Sequence, residues 1–265
     1  MSAKGNPLGK MQVLDLFSGI GGFSLGLERA GMETVAFCEF DPHAQKILKK
    51  HWPDVPIHSD VRSLNGHDFR GTVDVVTGGF PCQDLSTAGK QSGFGGERSS
   101  LYTEMLRVIS ECMPRYAIFE NVTGLLTGDS GRWFGKFLYD LAQIGYDAEW
   151  HCIEAGYFGA AHRRDRVWVI AYPNGERQQR SCKKQVSRIA NLSFQLGRAF
   201  KEVGRLPNIT QPSFRGADDG IPRGMDRKRL ARLGNSVVPQ IPEAIGRAIL
   251  KQQENTNECK RQADF

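Results

Sequence analysis

The first two thirds of the chain alternate short apolar runs with longer stretches in which apolar positions recur at helical spacing. MQVLDLF and TVAFCEF are rich in β-branched and aromatic residues, whereas FSLGLERAG and DPHAQKILKKHW carry the helical pattern. The alternation continues through VDVVTGG, a helical stretch over 101–113, YAIFEN, a helical stretch over 133–144, and two apolar runs near 146–153 and 166–172. This rhythm is typical of βαβ units and predicts an α/β fold with a parallel sheet.

The pattern changes after the last of these runs. Residues 173–232 are polar, basic and punctuated by Pro and Gly, which predicts an irregular segment with little core of its own. IPEAIGRAILKQQ then predicts a helix that is started by Pro242 and packs back on the main domain. We therefore predict a main domain formed by 11–172 and 233–254, a small segment at 173–232, and flexible tails at 1–10 and 255–265.

The distribution of charge distinguishes this segment from the rest of the chain. Residues 173–232 hold 14 Lys and Arg against 5 Asp and Glu, a net charge of +9, whereas residues 1–172 have a net charge of −3. A localised basic stretch is expected on a surface that meets a polyanion such as DNA or RNA. A solvated loop that happens to be basic is the alternative that charge alone leaves open.

Composition narrows the class of protein. With 40% hydrophobic and 24% charged residues the chain resembles a soluble globular protein, and no stretch approaches the roughly 20 apolar residues that a spanning helix needs. The N-terminus lacks the apolar core of a secretory signal, so we expect a cytoplasmic protein without a membrane partner. The 6 cysteines include no C-x-x-C pair, which argues against a zinc site or a disulfide framework, and we expect no metal.

A glycine-rich motif, DLFSGIGG at 15–22, connects the first predicted strand to the first predicted helix. Glycines at such a turn let the backbone approach a ligand at the helix N-terminus, although a tight structural turn would look the same. The dinucleotide-binding fingerprint is incomplete because position 24 is serine. Glu39 ends the second strand, where such folds bind ribose hydroxyls.

A second motif, FPCQ, places Cys82 directly after the strand VDVVTGG, and the next strand, which begins YAIFEN, ends in the motif ENV with Glu120 as its first residue. Ligands of open α/β sheets collect beyond the carboxyl ends of the strands. A thiol and a carboxylate at neighbouring strand ends could act as a nucleophile and an acid.

These motifs, together with AHRRDRVWVIA at 161–171 and GNSVVPQ at 234–240, resemble in sequence and order the bacterial and phage DNA cytosine-5 methyltransferases. The resemblance covers residues 11–172 and 233–250. It implies a Rossmann-like, S-adenosylmethionine-dependent methyltransferase sheet, with 173–232 as a small, irregular, basic target-recognition segment. His162 stands where the family often has glutamine, a minor departure because both side chains form hydrogen bonds.

The resemblance also implies roles for individual residues. Cys82 would be the nucleophile that attacks cytosine carbon 6, and Glu120 would contact N3 and the exocyclic amine. The remaining catalytic residues would be Arg164 and Arg166 of the family's R-x-R. The residues expected around the S-adenosylmethionine cofactor are Phe17, Gly19, Gly21, Glu39 at the ribose, Phe40 on the adenine, Asp60, Val61, Pro81, which also fixes the turn before Cys82, and Asn235, which supports the site.

The expected substrate is double-stranded DNA with the target base flipped out of the helix, because carbon 5 is inaccessible inside a duplex. A cognate restriction endonuclease is a further candidate partner, and we expect a monomer. The alternatives are a catalytically inactive DNA-binding relative, a tRNA cytosine methyltransferase and a nicotinamide dehydrogenase. Intact Cys82 and Glu120 argue against an inactive relative. The absence of an RNA-binding signature argues against a tRNA methyltransferase. Ser24, which breaks the glycine fingerprint, argues against a dehydrogenase.

Overall fold

The structure is a computed structural model. It describes residues 9–80, 99–158, 165–174, 198–199 and 236–263. Within these residues the strands form one seven-stranded sheet in the order β3-β2-β1-β4-β5-β7-β6. The strands are β1 Gln12–Leu16, β2 Glu33–Cys38, β3 Ile57–His58, β4 Val75–Gly78, β5 Tyr116–Val122, β6 Tyr146–Glu154 and β7 Asp165–Pro173. The order, in which β1 lies between β2 and β4 and the chain crosses over on both sides of it, confirms the predicted Rossmann-like α/β fold.

The sheet is mixed rather than wholly parallel. Strands β1 to β5 pair in parallel, but β7 is antiparallel to both β5 and β6. The predicted parallel sheet is therefore wrong for the last two strands. Only ten residues, 155–164, separate β6 from β7, and a parallel pair needs a crossover of a dozen or more residues.

The helices lie between the strands and end where local residues dictate. They are α1 Gly22–Ala30, α2 Pro42–His51, α3 Ser99–Cys112, α4 Gly124–Thr127, α5 Arg132–Gln143 and α6 Gln240–Ala263. The side chain of Asp41 caps α2 by accepting a hydrogen bond from the backbone N–H of His43 at 3.0 Å, and Pro42 occupies the first turn. Gly31, with φ 110°, ends α1 in a left-handed conformation.

Two apolar clusters cover the two faces of the sheet, which explains why its strands are nearly continuous apolar runs. Leu14 and Leu16 of β1 point to the cluster that contains α3 and α5. Val13 points to the other face, where α1 and α6 pack. Asp15 lies two residues after Val13 and therefore on the same face of the sheet, and its carboxyl group is fully buried.

Helix α6 packs against α1 and is longer than the sequence indicates. A Cβ atom added at Gly26 would lie 2.2 Å from the Pro239 carbonyl oxygen, so the two segments approach closely only because this residue is glycine. The helix continues to Ala263, past Glu254, where a flexible tail is predicted to begin. ENTNECKRQA contains neither Gly nor Pro, so nothing in it stops a helix already started by IPEAIG.

The predicted segment 173–232 lies outside the described residues, apart from 173–174 and 198–199, and its boundaries remain predictions. Residues 1–8 of the predicted N-terminal tail also lie outside them. No helix in the described part of the chain is long and apolar enough to cross a membrane.

Candidate active site

Those residues singled out by the sequence that the structure describes lie at one edge of the sheet. The carboxyl ends of the parallel strands β1, β2, β4 and β5 share this edge. Because β7 is antiparallel to β5, its first residues lie there too, with Arg166 opposite Val122. The topology therefore brings Glu39, Glu120 and Arg166 to a common edge although they are far apart in sequence.

The turn between β1 and α1 has an unusual backbone. Phe17, Gly19 and Gly21 have φ values of 52°, 55° and 86°. Gly21 is needed for a second reason, since a Cβ atom there would lie 2.6 Å from the ring of Trp52. A phenylalanine whose backbone lies in the left-handed region costs conformational energy and is most often found where a ligand or a tight turn requires that conformation.

Glu39 links this turn to the loop after β2. One carboxylate oxygen accepts a hydrogen bond from the Gly19 backbone N–H at 2.7 Å, and the other accepts one from the Asp41 backbone N–H at 2.8 Å. Each oxygen retains further acceptor capacity, because a carboxylate can accept about four hydrogen bonds. The neighbouring Phe40 is 76% exposed, which is unusual for a large aromatic side chain and leaves its ring available for stacking.

Asp60 and Val61 lie on the turn after β3, which pairs with β2. The Asp60 side chain caps this turn by accepting a hydrogen bond from the Arg62 backbone N–H at 3.0 Å. Val61 is buried, and its carbonyl oxygen accepts a hydrogen bond from the Arg107 guanidinium at 2.9 Å. Arg107 is not among the predicted residues, because it lies in α3 without any local motif.

Glu120 and Arg166 form an ion pair across β5 and β7. Arg166 Nε lies 2.9 Å from Glu120 Oε1, with side-chain exposures of 22% and 11%. A Cβ atom added at Gly79 would lie 3.1 Å from Glu120 Oε2, so the chain after β4 passes directly beside this carboxylate. A pair this well shielded from water holds its geometry more firmly than a surface pair.

Asn121 is a second residue that sequence reasoning missed. Its side-chain amide donates a hydrogen bond to the Phe80 carbonyl at 3.3 Å, and its side-chain oxygen accepts one from the Val122 backbone N–H at 2.8 Å. The residue is buried, so these bonds satisfy polar atoms that water does not reach. Its place as the middle residue of the ENV motif is a signal that could have pointed to it, but only a structure shows which atoms it holds.

The other predicted residues, Pro81, Cys82, Arg164 and Asn235, lie outside the described residues. Among the described cysteines, burial raises the pKa of both Cys38 and Cys112 to about 12, with nearby carboxylates adding to the effect. These two thiols stay protonated near neutral pH and are poor nucleophiles, although Cys38 lies at the same edge of the sheet. In the described ranges no group of three or more His, Cys, Asp and Glu is placed to hold a metal ion.

Comparison with known proteins shows which family the chain belongs to. The sequence profile of the C-5 cytosine-specific DNA methylases matches residues 11–214. The chain belongs to this family. Among its relatives, the Type II methyltransferase M.Eco47II of Escherichia coli is 39% identical over 164 residues, which cover 61% of this chain and 39% of the relative. M1.ScrFI of Lactococcus lactis subsp. cremoris is 32% identical over 203 residues, covering 76% of this chain and 49% of the relative.

Solved structures of similar proteins agree with the fold. A prophage-encoded E. coli protein described as a DNA modification methyltransferase superposes with a TM-score of 0.54 at 29% identity, over 65% of this chain and 49% of the other. The S. pombe Dnmt2 methyltransferase superposes with a TM-score of 0.51 at 24% identity, over 71% of this chain and 54% of the other, a likeness that supports the fold alone. The matched part spans about half or less of the two curated relatives.

Proposed function

We propose that the protein transfers a methyl group from S-adenosylmethionine to carbon 5 of a cytosine in double-stranded DNA, through a covalent Cys82 adduct with a flipped base. The observation that carries the proposal is the partly buried Glu120–Arg166 pair, beside the short connection from β4 to Cys82, in a chain of the C-5 cytosine-specific methylase family. Relatives named Type II methyltransferases support the same activity.

The described residues fit the proposed cofactor. Within the described part of the chain, nothing lies within 4 Å of a Cβ atom added at Gly19, so those residues leave space beside the turn at the start of α1. Glu39 would bind the ribose hydroxyls with its remaining acceptor capacity, and the exposed ring of Phe40 would stack on the adenine. Asp60 and Val61 would border the same base. S-adenosylmethionine, when bound, supplies an electrophilic methyl group.

The chemistry requires activation of the cytosine ring, because carbon 5 alone is a poor nucleophile. The Cys82 thiolate would form a bond to carbon 6, and the ring electrons would move toward carbon 5. Glu120 would be protonated in the complex, so that its carboxylic acid can donate a hydrogen bond or its proton to N3 and stabilise the charge there. Carbon 5 would then form a bond to the methyl carbon as the bond from that carbon to the sulfonium sulfur breaks, and S-adenosylhomocysteine would be the product that leaves. A base removes the proton from carbon 5, the double bond between carbons 5 and 6 forms again, and the thiolate leaves.

Arg166 would position the Glu120 carboxyl for this task. Its guanidinium holds Oε1 from β7 and also donates a hydrogen bond to the Asp165 carbonyl oxygen at 2.9 Å. Gly79 leaves room beside Oε2, the oxygen nearest the chain that leads to Cys82. Arg166 would thus anchor one carboxyl oxygen, and the other lies on the side of the chain that leads to Cys82.

The decisive experiment traps the covalent intermediate. The wild-type protein, S-adenosylmethionine and a duplex containing 5-fluorocytosine should give an adduct that survives denaturation, because fluorine cannot leave as a proton does. Cys82→Ser should form no adduct while it still binds the cofactor. The matched control is Cys152→Ser, which changes an exposed cysteine of β6 and should form the adduct normally.

The outcomes separate the alternatives. An adduct with tRNA but not with duplex DNA would replace the proposed substrate with RNA. Cofactor binding without an adduct on either nucleic acid would favour a catalytically inactive relative, and methylation by Cys82→Ser would exclude the covalent mechanism.

We further propose that residues 173–232 recognise the DNA sequence and that the enzyme works beside a cognate restriction endonuclease. The net charge of +9 supports phosphate contacts, and the names of the Type II relatives support the partner. A segment this small can place few base-reading side chains, so we expect a recognition sequence of about two to five base pairs.

A further inference from the structure

Asp15, Ser24 and Thr77 form a buried polar cluster between the glycine-rich turn and β4, the strand that leads to Cys82. The Asp15 carboxyl accepts a hydrogen bond from the Ser24 hydroxyl at 2.8 Å and another from the Thr77 hydroxyl, also at 2.8 Å. All three residues have no exposed surface. The proposed chemistry uses none of them, and Ser24 is the residue that breaks the dinucleotide fingerprint.

The three members belong to three different elements. Asp15 lies near the end of β1, two residues before the left-handed Phe17, and Ser24 lies in the first turn of α1. Thr77 lies in β4, directly opposite Asp15 in the parallel register, and precedes Cys82 by five residues. The cluster therefore spans both flanks of the glycine-rich turn and the strand that leads to the nucleophile.

The turn is also tied to Asp15 through its backbone. The Ser18 hydroxyl donates a hydrogen bond to the Asp15 carbonyl oxygen at 2.6 Å, and the Gly21 backbone N–H donates to the Ser18 carbonyl oxygen at 2.8 Å. A shift of the Asp15 backbone would thus be passed on to the turn. Polar networks of this kind are rigid when every member is satisfied and costly when one partner is removed.

We infer that Asp15, Ser24 and Thr77 act as positioning residues, forming a link that fixes the cofactor turn relative to the strand that precedes Cys82. The inference deepens the proposed function, on which it rests. Its consequence is coupling: removing the hydroxyl on the β4 side should disturb cofactor binding, and removing the hydroxyl on the α1 side should disturb the reaction at Cys82.

The test uses variants that delete one hydroxyl while keeping the side chain's shape. Thr77→Val should weaken S-adenosylmethionine binding about three- to tenfold, the effect of removing one buried hydrogen bond, and Thr77→Ser should restore it. Ser24→Ala should slow adduct formation on 5-fluorocytosine duplex at saturating cofactor by a similar factor. Binding is measured by calorimetry and adduct formation by gel shift under denaturing conditions.

The matched control is Thr34→Val, on the neighbouring strand β2. Thr34 is buried and, within the described residues, its hydroxyl has no hydrogen-bond partner, so this variant should bind cofactor and form the adduct as the wild type does. A purely structural role for the cluster predicts lower melting temperatures with an unchanged dissociation constant and adduct rate. That result, or an equal effect in Thr34→Val, would overturn the inference.

The two proposals fail in distinguishable ways. If the wild-type protein forms no adduct, the proposed function fails, yet the comparison of cofactor binding between Thr77→Val and Thr77→Ser still tests the link. If the wild type forms the adduct and both Ser24→Ala and Thr77→Val behave like it, only the link fails.

Discussion

Glu39 shows how a single carboxylate can serve both the architecture of the site and its proposed ligand. It joins the glycine-rich turn to the loop after β2 through two backbone hydrogen bonds, from Gly19 and Asp41. Both bonds are charge-assisted, which makes them stronger than bonds between neutral groups. Because the carboxylate can accept more than these two bonds, the same geometry can hold a ribose hydroxyl.

We expect Glu39→Ala to weaken S-adenosylmethionine binding by about 1–3 kcal/mol, since it removes the ribose acceptor and releases the turn. Isothermal calorimetry measures this directly. Glu33→Ala, at the exposed start of the same strand, is the control and should bind normally. An unchanged dissociation constant in Glu39→Ala would remove this residue from the cofactor site.

Asp15 predicts an unusual dependence of stability on pH. Burial raises its pKa from 3.8 to about 7, against the opposing effect of the Ser24 and Thr77 hydrogen bonds. The folded protein therefore holds this proton more tightly than the unfolded chain. The resulting stabilisation is complete below about pH 4 and is lost as the pH rises through about 7.

Asp15→Asn should flatten the dependence of the free energy of unfolding on pH between about 4 and 8, where each unit of pKa shift is worth about 1.4 kcal/mol. Urea unfolding at several pH values measures the difference. Asp54→Asn changes an exposed aspartate of similar chemistry and serves as the control. Parallel pH profiles for wild type and Asp15→Asn would show that burial does not perturb this carboxyl.

The sequence predicts those site residues that belong to local motifs. Glu39 and Glu120 are predicted from their places near the ends of recognisable strands and from the family motifs. The structure places Glu39 directly after β2 and Glu120 in the last part of β5, at the same edge of the sheet. The Arg166 partner of Glu120 was named, but its ion pair follows only from the antiparallel register of β7. The hydrogen bond from Thr77 to Asp15 joins residues 62 positions apart, and the one from Arg107 to Val61 joins residues 46 positions apart. No local sequence pattern reveals contacts over such separations.

At the scale of elements, glycine determines how closely α1 can approach the segment before α6. A Cβ atom at Gly26 would lie 2.2 Å from the Pro239 carbonyl oxygen and 2.8 Å from the Pro242 ring. Backbone atoms and a proline ring cannot move aside as a flexible side chain would. Gly135 of α5 is the opposite case, since it is exposed and a Cβ atom there would meet no other described residue within 4 Å.

We expect Gly26→Ala to destabilise the protein by about 1–3 kcal/mol by forcing the two helices apart. Gly135→Ala should instead stabilise it by up to about 1 kcal/mol, because alanine favours a helix over glycine. Chemical denaturation of both variants checks the pair. Equal effects would mean that helix propensity, and not the packing of α1 on α6, dominates at Gly26.

The elements themselves were predictable where periodicity was strong. The long strands and the helices α1, α2, α3 and α5 follow the alternation of apolar runs and helical patterns. The two-residue strand β3 and the short turns after it carry too few residues for any period to show. The orientation of β6 and β7 depends on how they pair, which an apolar run alone does not encode.

At the scale of the whole molecule, charge separates the two proposed tasks. The main domain is slightly acidic over residues 1–172, whereas residues 173–232 carry +9. Chemistry and cofactor binding are proposed for the first region, and binding to the DNA backbone for the second. Phosphate contacts release counterions, so they leave a measurable signature in the salt dependence of binding.

We therefore expect DNA affinity, but not cofactor affinity, to depend steeply on salt through residues 173–232. Replacing Arg227, Lys228 and Arg229 with glutamine should reduce the log–log slope of affinity against salt by about 0.9 for each phosphate that the variant no longer neutralises. Replacing Lys46, Lys49 and Lys50, three exposed lysines of α2, removes equal charge and is the control. Fluorescence anisotropy with a duplex gives both slopes, and calorimetry gives cofactor binding. If the slope falls as much in the α2 variant as in the other, net charge rather than this segment governs DNA binding, and the recognition role of 173–232 is wrong.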